Sequence, residues 1–235
     1  MSLTFVLIPG AGTDPGVYGT TIAALEALGH DALAPPLPLD DEDAGPSDHA
    51  RSVLAALPGD GGELVVVAQS LGGFAGPLVA ERAGAAGLVL LAPMIPVPGE
   101  TAGEWWANTG HEEATADLRE RFGPMSEWDR EALAYVFLHD VDAETRRESE
   151  RFEGAPGHGM FTEPWPLERW PEVPTVVLAP SGDRLFPLDF QRRVARERLG
   201  LEVEEIDGGH LPMLSRPEEL ARRLDEIARS SFVPQ

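Results

Sequence analysis

The strongest constraint on this chain is a short strand-like run that enters a serine-centred turn and leaves it as a helix. The valines at 65–67 are typical of a strand buried in a parallel sheet, and residues 74–82 are compatible with a helix. Between them lies the pattern Ala68-x-Ser70-x-Gly72. Strand and helix nearly touch across such a turn, so the positions two before and two after the serine must be small. The stretch therefore predicts a sharp turn with Ser70, a candidate nucleophile, at its apex.

Strand-like and helix-like segments alternate along most of the chain. The strand candidates are residues 3–8, 31–34, 64–67, 87–91, 173–179 and 201–206, and the helix candidates are 17–28, 47–57, 74–82, 187–199 and 217–229. This alternation predicts an α/β fold with a mainly parallel sheet of about six strands, covered by helices on both faces. Ser47 is the expected N-cap of its helix.

The alternation is interrupted after the fourth strand candidate. Residues 96–171 contain no convincing strand, and residues 127–138 and 142–152 have the pattern of amphipathic helices, the second capped by Asp142. We therefore predict a mostly helical cap, residues 96–171, inserted after the fourth strand. The core domain would then consist of residues 1–95 and 172–235.

The charged residues narrow the choice of partners and of chemistry. There are 40 acidic and 18 basic residues, a formal net charge of -22, so nucleic acid and anionic membrane surfaces are not expected as partners. The chain has no cysteine and no lysine, which excludes thiol nucleophiles, thiolate metal sites and Schiff-base chemistry. The acidic cluster at 40–43 is expected to be a solvated loop, and we expect neither a metal nor a cofactor.

The sequence carries no recognisable targeting or membrane signal. The N-terminal residues lack the basic region and long apolar run of a signal peptide, and no segment approaches the length of a membrane span. We expect a cytoplasmic protein without membrane contact, and we leave a homodimer open as its assembly.

A serine needs three kinds of help to act as a nucleophile: a base, a group that orients the base, and donors for the oxyanion. His210 follows the last strand candidate in a glycine-rich loop and is the preferred base. A loop histidine that caps backbone groups is the alternative. The other five histidines lie in helices, at a helix end or in the cap, and are weaker candidates: His30, His49, His111, His139 and His158.

The orienting acid and the oxyanion donors are also expected just after strands, where ligands bind in open α/β sheets. Asp183 follows the fifth strand candidate, although an ordinary turn aspartate would look the same. Asp207 is a weaker rival because it lies three residues from His210 on the same loop. The backbone N–H groups of Leu71, at a helix N-terminus, and of Ala11, in the turn after the first strand, are the expected oxyanion donors.

In their order along the chain, Ser70, Asp183 and His210 resemble the α/β-hydrolase fold family. The chain is similar in particular to the compact hydrolases that include plant methylesterases and hydroxynitrile lyases, in segments 5–12, 25–30, 183–186 and 210–214. It departs from that pattern at Pro9, where histidine is usual, and at Ala68-Gln69, where Gly-His is usual. The resemblance implies a serine hydrolase with a Ser-His-Asp triad and an acyl-enzyme intermediate.

The resemblance favours the esterases over the lyases. Plant hydroxynitrile lyases of this kind place a lysine after the catalytic histidine and a threonine in the oxyanion loop. The matching residues of this chain are Leu211 and Gly10, as in the esterases. We therefore expect a carboxylesterase.

An apolar pocket for a small to medium hydrophobic ester is expected around the proposed triad. Its lining would come from the neighbouring loops and from aromatic residues of the cap: Gly12, Leu185, Phe186, Leu211, Trp105, Trp106, Phe137 and Phe161. Aromatic residues of the cap can equally serve only to pack the cap onto the sheet.

Three other functions fit parts of the sequence. The glycines Gly10-x-Gly12-x-x-x-Gly16 after the first strand resemble a nucleotide-binding loop of an oxidoreductase, but no acid ends the second strand candidate to bind a ribose. A ligand-binding receptor that keeps the hydrolase fold with little turnover is a second alternative. A cofactor-free lyase, perhydrolase or acyltransferase would use the same triad.

Overall fold

A single parallel sheet organises the chain. The computed structural model describes residues 2–11, 13–59, 63–154 and 157–232. Its strands are β1 (Thr4–Ile8), β2 (Asp31–Leu33), β3 (Leu64–Gln69), β4 (Gly87–Leu91), β5 (Thr175–Pro180) and β6 (Val203–Ile206). They lie in the order β2-β1-β3-β4-β5-β6, and every neighbouring pair is parallel. The predicted sheet of about six mainly parallel strands is confirmed.

Helices connect the strands and fill the interval between β4 and β5. They are α1 (Gly19–Ala27), α2 (Pro46–Ala55), α3 (Gly76–Ala83), α4 (Ala102–Asn108), α5 (His111–Ala114), α6 (Ala116–Phe122), α7 (Arg130–Phe137), α8 (Ala143–Ser149), α9 (Gly159–Thr162), α10 (Leu188–Leu199), α11 (Pro212–Ser215) and α12 (Pro217–Ile227). Short 3-10 turns lie at Pro15–Tyr18, Ser70–Phe74, Met125–Glu127 and Glu150–Phe152, and a π-helical turn lies at Ala228–Phe232. In the described part of the chain, no helix has both the length and the apolar character needed to cross a membrane.

The central strands send alternate side chains into two apolar clusters, one on each face of the sheet. On β3, Val66 packs into the cluster built with α2, α3 and α10, whereas Val65 and Val67 pack into the cluster built with α1 and α12. Because both faces of the sheet are buried, the sequences of these strands are continuous apolar runs and do not alternate between apolar and polar residues. Helices cover both faces, as predicted.

A helical cap separates β4 from β5, which are nonetheless neighbours in the sheet. The described residues of the cap form helices α4 to α9 and no strand. Two buried tryptophans fasten it to the core: the indole N–H of Trp105 donates to the carbonyl of Ile95 at 3.0 Å, and that of Trp165 to the carbonyl of Phe74 at 3.1 Å. The mostly helical cap after the fourth strand is confirmed, whereas the domain boundaries at 95/96 and 171/172 stay a prediction.

The N-cap predicted for α2 was wrong. Gly45 is the capping residue, and its N–H donates to the carboxylate of Asp48 at 3.2 Å. The hydroxyl of Ser47 instead donates to the carboxylate of Glu163 in the cap, at 2.5 Å. A partner that lies 116 residues away competes with the local capping bond, and nothing in the local sequence reveals it.

Candidate active site

The turn after β3 holds Ser70 in a backbone conformation that non-glycine residues rarely adopt. Its φ is +50°, which costs about 1–3 kcal/mol and persists only where the surroundings impose it. Those surroundings are close backbone contacts. A Cβ on Gly72 would come within 2.8 Å of the carbonyl oxygen of Pro9, and one on Gly73 would collide with the carbonyl oxygen of Met94. The small residues after the serine are therefore a steric requirement of the turn.

Alanine at position 68 is accommodated by a glycine on the facing helix. The methyl group of Ala68 packs against Gly76, the first residue of α3, where an added Cβ would collide with it. The missing first glycine of the usual motif is thus compensated across the strand–helix contact. Ser70 remains at the apex of the turn, at the carboxyl end of β3.

The structure brings Ser70, His210 and Asp183 into one hydrogen-bonded line. The Nε2 of His210 lies 3.0 Å from the Oγ of Ser70, and its Nδ1 lies 2.7 Å from Oδ2 of Asp183. With Nδ1–H donated to Asp183, Nε2 is free to accept the serine proton. All three side chains are buried, so solvent does not compete for these bonds.

Asp183 is itself fixed by its own loop. Its Oδ1 accepts the N–H groups of Leu185 at 2.8 Å and Phe186 at 2.9 Å, which orients Oδ2 toward His210. The rival acid, Asp207, is exposed and pairs with the hydroxyl of Ser181 at 3.4 Å. Of the two candidates, Asp183 is therefore the one that reaches the imidazole.

Ala11 and Leu71 both line the cavity above Ser70. Leu71 is the second residue of the 3-10 turn that begins at Ser70, where backbone N–H groups have no partner inside the turn. The N–H of Gly10 is already donated to a side chain, so the donor available from the loop after β1 (residues 9–11, the β1 loop) is that of Ala11. This arrangement supports the predicted oxyanion donors, which stay a proposal.

Gln69 is a residue whose role the sequence did not indicate. Its buried amide accepts the N–H of Gly10 at 2.8 Å and donates to the carbonyl of His210 at 3.1 Å. A Cβ on Gly10 would come within 2.6 Å of both the Gln69 amide oxygen and the Ser70 Cβ. Gln69 thus connects the β1 loop to the loop that carries His210 (residues 207–211, the histidine loop) directly beside the nucleophile. The one signal in the sequence was that Gln69 stands where the resembling hydrolases usually have histidine.

Asp140, which follows α7 in the cap, is a second residue that sequence reasoning missed. Its Oδ2 accepts the N–H of Gly209 at 2.7 Å, immediately before His210. A Cβ on Gly209 would lie 2.7 Å from Oδ1 of Asp140 and 2.8 Å from the ring of His139. The cap therefore rests on the histidine loop, and glycine at 209 makes that contact possible.

A cavity of about 580 Å³ opens above Ser70 and His210. Among the predicted lining residues, those that face it are Leu185, Leu211, Trp106, Phe137 and Phe161. The rest of its wall is mainly apolar and comes from the cap and from the loops that follow the strands. Predicted residue Gly12 lies outside the described residues.

The prediction that Trp105 and Phe186 line the pocket was wrong. Both side chains are fully buried behind its wall, with their rings 5.3 Å apart. Trp105 is held there by its bond to the Ile95 carbonyl. The ring of Phe186 packs edge-on against His210 at 5.1 Å, so it supports the imidazole from behind.

Two of the other described histidines have partners away from Ser70. His30 pairs with Asp225 at 2.7 Å, and His111 bonds the carbonyl of Leu185 at 2.8 Å among aromatic rings. Burial lowers the pKa of His111 and of His49, which favours the neutral imidazole. Within the described residues, no group of three or more histidine or acidic side chains is arranged to hold a metal ion.

Comparison with known proteins points in one direction. The sequence profile described as the alpha/beta hydrolase family matches residues 5–223. The chain is 26% identical to the probable hydrolase R7 of Phoma sp., over 95% of this chain and 97% of that protein. It is 27% identical to methylesterase 7 of Arabidopsis thaliana, over 95% of each. The crystal structure of polyneuridine aldehyde esterase superposes with a TM-score of 0.79 at 21% identity, over 97% of this chain and all of that one.

Proposed function

The chain belongs to the alpha/beta hydrolase family, an enzyme family whose profile spans residues 5–223, and on that premise we propose that it is a serine carboxylesterase. The observation that carries the proposal is the buried line from Asp183 through His210 to Ser70 at the floor of a mainly apolar cavity. Relatives named as a hydrolase and a methylesterase support the same class of reaction. The proposed substrates are small to medium hydrophobic esters.

The first half of the reaction forms an acyl-enzyme. His210 Nε2 takes the proton of the Ser70 hydroxyl as Oγ attacks the ester carbonyl carbon. The negative charge that develops on the carbonyl oxygen is stabilised by the N–H groups of Ala11 and Leu71. The tetrahedral intermediate then expels the alkoxide, which receives the proton held by His210 and leaves as the alcohol.

The second half releases the acid and restores the enzyme. A water molecule gives a proton to His210 Nε2 and attacks the acyl carbon, and the tetrahedral intermediate collapses with return of that proton to Ser70 Oγ. Asp183 holds Nδ1–H throughout, which keeps the ring in the productive tautomer and stabilises the imidazolium that forms in each half. Because these groups are held in place before substrate binds, little reorganisation accompanies the reaction.

The residue after the histidine supports hydrolysis over cyanohydrin cleavage. Leu211 lines the cavity beside His210 and places an apolar side chain where a lyase would need a cation to hold cyanide. No arginine lines the described part of the cavity either. The leaving group of an ester departs as a neutral alcohol, so its release needs no such cation.

The test is a panel of p-nitrophenyl and methyl esters of graded acyl length, run together with labelling by a fluorophosphonate. Wild type should hydrolyse apolar esters and gain one adduct by intact mass. Ser70→Ala should lose both turnover and adduct, and Ser181→Ala, which removes an exposed hydroxyl on a neighbouring loop, should keep both. Turnover unchanged in Ser70→Ala would reject the proposal. An adduct with negligible turnover would favour the ligand-binding receptor instead.

A further inference from the structure

The loop between β5 and α10, residues 181–187, carries Asp183, and we call it the acid loop. Within this loop, the carboxylate of Asp183 accepts two backbone N–H groups from residues that follow it. These bonds fix the carboxylate relative to its own loop, but His210 lies on a different loop, 27 residues further along the chain. The alignment of acid and imidazole therefore also depends on what the acid loop contacts outside itself.

Arg184, the residue after Asp183, bonds the acid loop to helix α7 of the cap. Its guanidinium donates to the backbone carbonyl of Tyr135 at 2.9 Å, and its Cζ lies 4.0 Å from the centroid of the Tyr135 ring. A planar guanidinium suits both contacts, because it donates in its own plane and stacks through its face. Both side chains are half-buried, so water competes only in part for these contacts.

The carbonyl that Arg184 reaches is one that α7 cannot satisfy by itself. Tyr135 lies in the last turn of α7, which ends at Phe137, and the carbonyls of a last turn have no partner within the helix. The negative end of the helix dipole also lies there and stabilises a cation. The contact therefore holds the acid loop at one place on the helix, its C-terminal end.

The same end of α7 also contacts the proposed base and its loop. The ring of Phe137 lies 5.5 Å from that of His210, and Asp140 accepts the N–H of Gly209 at 2.7 Å. One short segment of the cap, residues 135–140, thus contacts both the acid loop and the histidine loop. These are the two loops that carry the acid and the base.

Resting on the proposed carboxylesterase function, in which Asp183 orients His210, we propose that Arg184 is a positioning residue for that acid. By holding the acid loop on the end of α7, Arg184 keeps the Asp183 carboxylate in line with Nδ1 of His210. The described lining of the cavity does not include Arg184, so it acts through Asp183 and not through the substrate.

The first test removes the donors of Arg184 and keeps an unbranched side chain. In Arg184→Met, kcat for a p-nitrophenyl ester should fall about 10-fold, with KM changed less than about twofold. The loss is partial because His111 still bonds to the carbonyl of Leu185, in the same loop, at 2.8 Å. Arg184→Lys retains a cation at the helix end, and its kcat should lie between those of wild type and Arg184→Met.

The number of active sites is counted by fluorophosphonate labelling taken to completion. Misfolded protein then lowers the count of active sites and leaves kcat per site unchanged. A wild-type kcat per site in Arg184→Met would overturn the proposal, as would a tenfold rise in KM at unchanged kcat.

Arg121 supplies a matched control. Its Cζ also lies 4.0 Å from the centroid of the Tyr135 ring, but Arg121 belongs to α6 in the cap and not to the acid loop. Arg121→Met removes the same charge and a similar stacking contact, so kcat should stay within about twofold of wild type. Equal losses of kcat in Arg121→Met and Arg184→Met would show that the packing of Tyr135 matters, and would overturn the role of Arg184.

Variants of Tyr135 test the same contact from the side of the cap. Tyr135→Phe keeps both the ring and the carbonyl and should retain the wild-type kcat, whereas Tyr135→Leu loses the ring and its kcat should fall about 3-fold. Equal losses in the two variants would assign the effect to the hydroxyl group and overturn the role of the stacking contact. Should Arg184→Met fail to fold, a wild-type kcat in Tyr135→Leu would overturn the proposal.

A proton resonance keeps this inference distinct from the proposed reaction. The Nδ1 proton between His210 and Asp183 lies in a short, buried hydrogen bond and should resonate downfield of the amide protons, without any substrate. Its assignment needs His210→Ala, because the 2.7 Å pair of His30 and Asp225 can give a similar signal. The resonance should shift or broaden in Arg184→Met. If wild type hydrolyses no ester, the carboxylesterase proposal fails, but an identical resonance in wild type and Arg184→Met is what would overturn this inference.

Discussion

At the scale of single residues, Gln69 and Ala68 differ from the residues that are usual at these positions of the resembling hydrolases, and each has contacts that accommodate the change. Gln69 stands where the resembling hydrolases have histidine, and one amide bonds to both the β1 loop and the histidine loop. Ala68 stands where they have glycine, and Gly76 gives the methyl its room. Each replacement makes sense only with its partner in three dimensions.

Gln69 is expected to position the reacting groups without touching the substrate's reacting bond. Gln69→Leu removes both hydrogen bonds and leaves the N–H of Gly10 unpaired, so kcat for a p-nitrophenyl ester should fall about 10- to 100-fold with little change in KM. Gln69→Glu keeps the acceptor for Gly10 but loses the donor to His210. Its kcat should lie between those of wild type and Gln69→Leu. Wild-type kcat in Gln69→Leu, with the fold intact by circular dichroism, would contradict this role.

The contact between Ala68 and Gly76 predicts a compensating pair. Gly76→Ala should lower the free energy of unfolding by about 1–3 kcal/mol, because its methyl group collides with that of Ala68. Adding Ala68→Gly should restore most of this loss. Urea denaturation of the two single variants and the double variant gives the coupling energy. Strictly additive effects would show that the two methyl positions do not compete for space.

At the scale of elements, the cap does more than cover the cavity. Asp140, which follows α7, accepts the N–H of Gly209, and Trp105 and Trp165 donate to backbone carbonyls of the core. The sequence predicted the cap and its helical character from the loss of strand patterns. It could not predict these contacts, since periodicity reports which face of a helix is apolar and not which loop that face meets.

Asp140 should influence catalysis through the loop that carries His210. Asp140→Ala leaves the Gly209 N–H without its partner, so kcat should fall roughly 5- to 20-fold. Asp140→Asn retains an acceptor oxygen and should keep most of the activity. The readout is steady-state kinetics with thermal melting as the check on folding. Equal kinetic losses in Asn and Ala variants would indicate that charge, rather than the hydrogen bond, matters.

The burial of His111 should make the stability of the folded protein depend on pH. Burial lowers its pKa in the folded state below the unfolded value of about 6.5, so the unfolded chain binds more protons as the solution is acidified. The stability it contributes is therefore present above pH 6.5 and lost as pH falls below that value. His111→Gln should flatten the decline in unfolding free energy between pH 7 and 5, as measured by urea titrations. An identical decline in both proteins would exclude this contribution.

At the scale of the whole molecule, the sheet explains how much could be predicted. Ser70, Asp183 and His210 each follow a strand, and parallel strands present their carboxyl ends at one edge, so their meeting could be predicted from order and spacing. Trp105 and Phe186 were misplaced because closeness along the chain does not tell which side of a cavity wall a ring occupies.

The central claim is that Ser70 carries the acyl group, and it can be tested on the reaction itself. Wild type mixed with a p-nitrophenyl ester and quenched in acid within the first turnovers should gain the mass of one acyl group, mapped by peptide digestion to residue 70. His210→Ala should show no such adduct on the same time scale, because the serine proton has no acceptor. Turnover with no acyl-enzyme, or with the acyl group on another residue, would contradict the account.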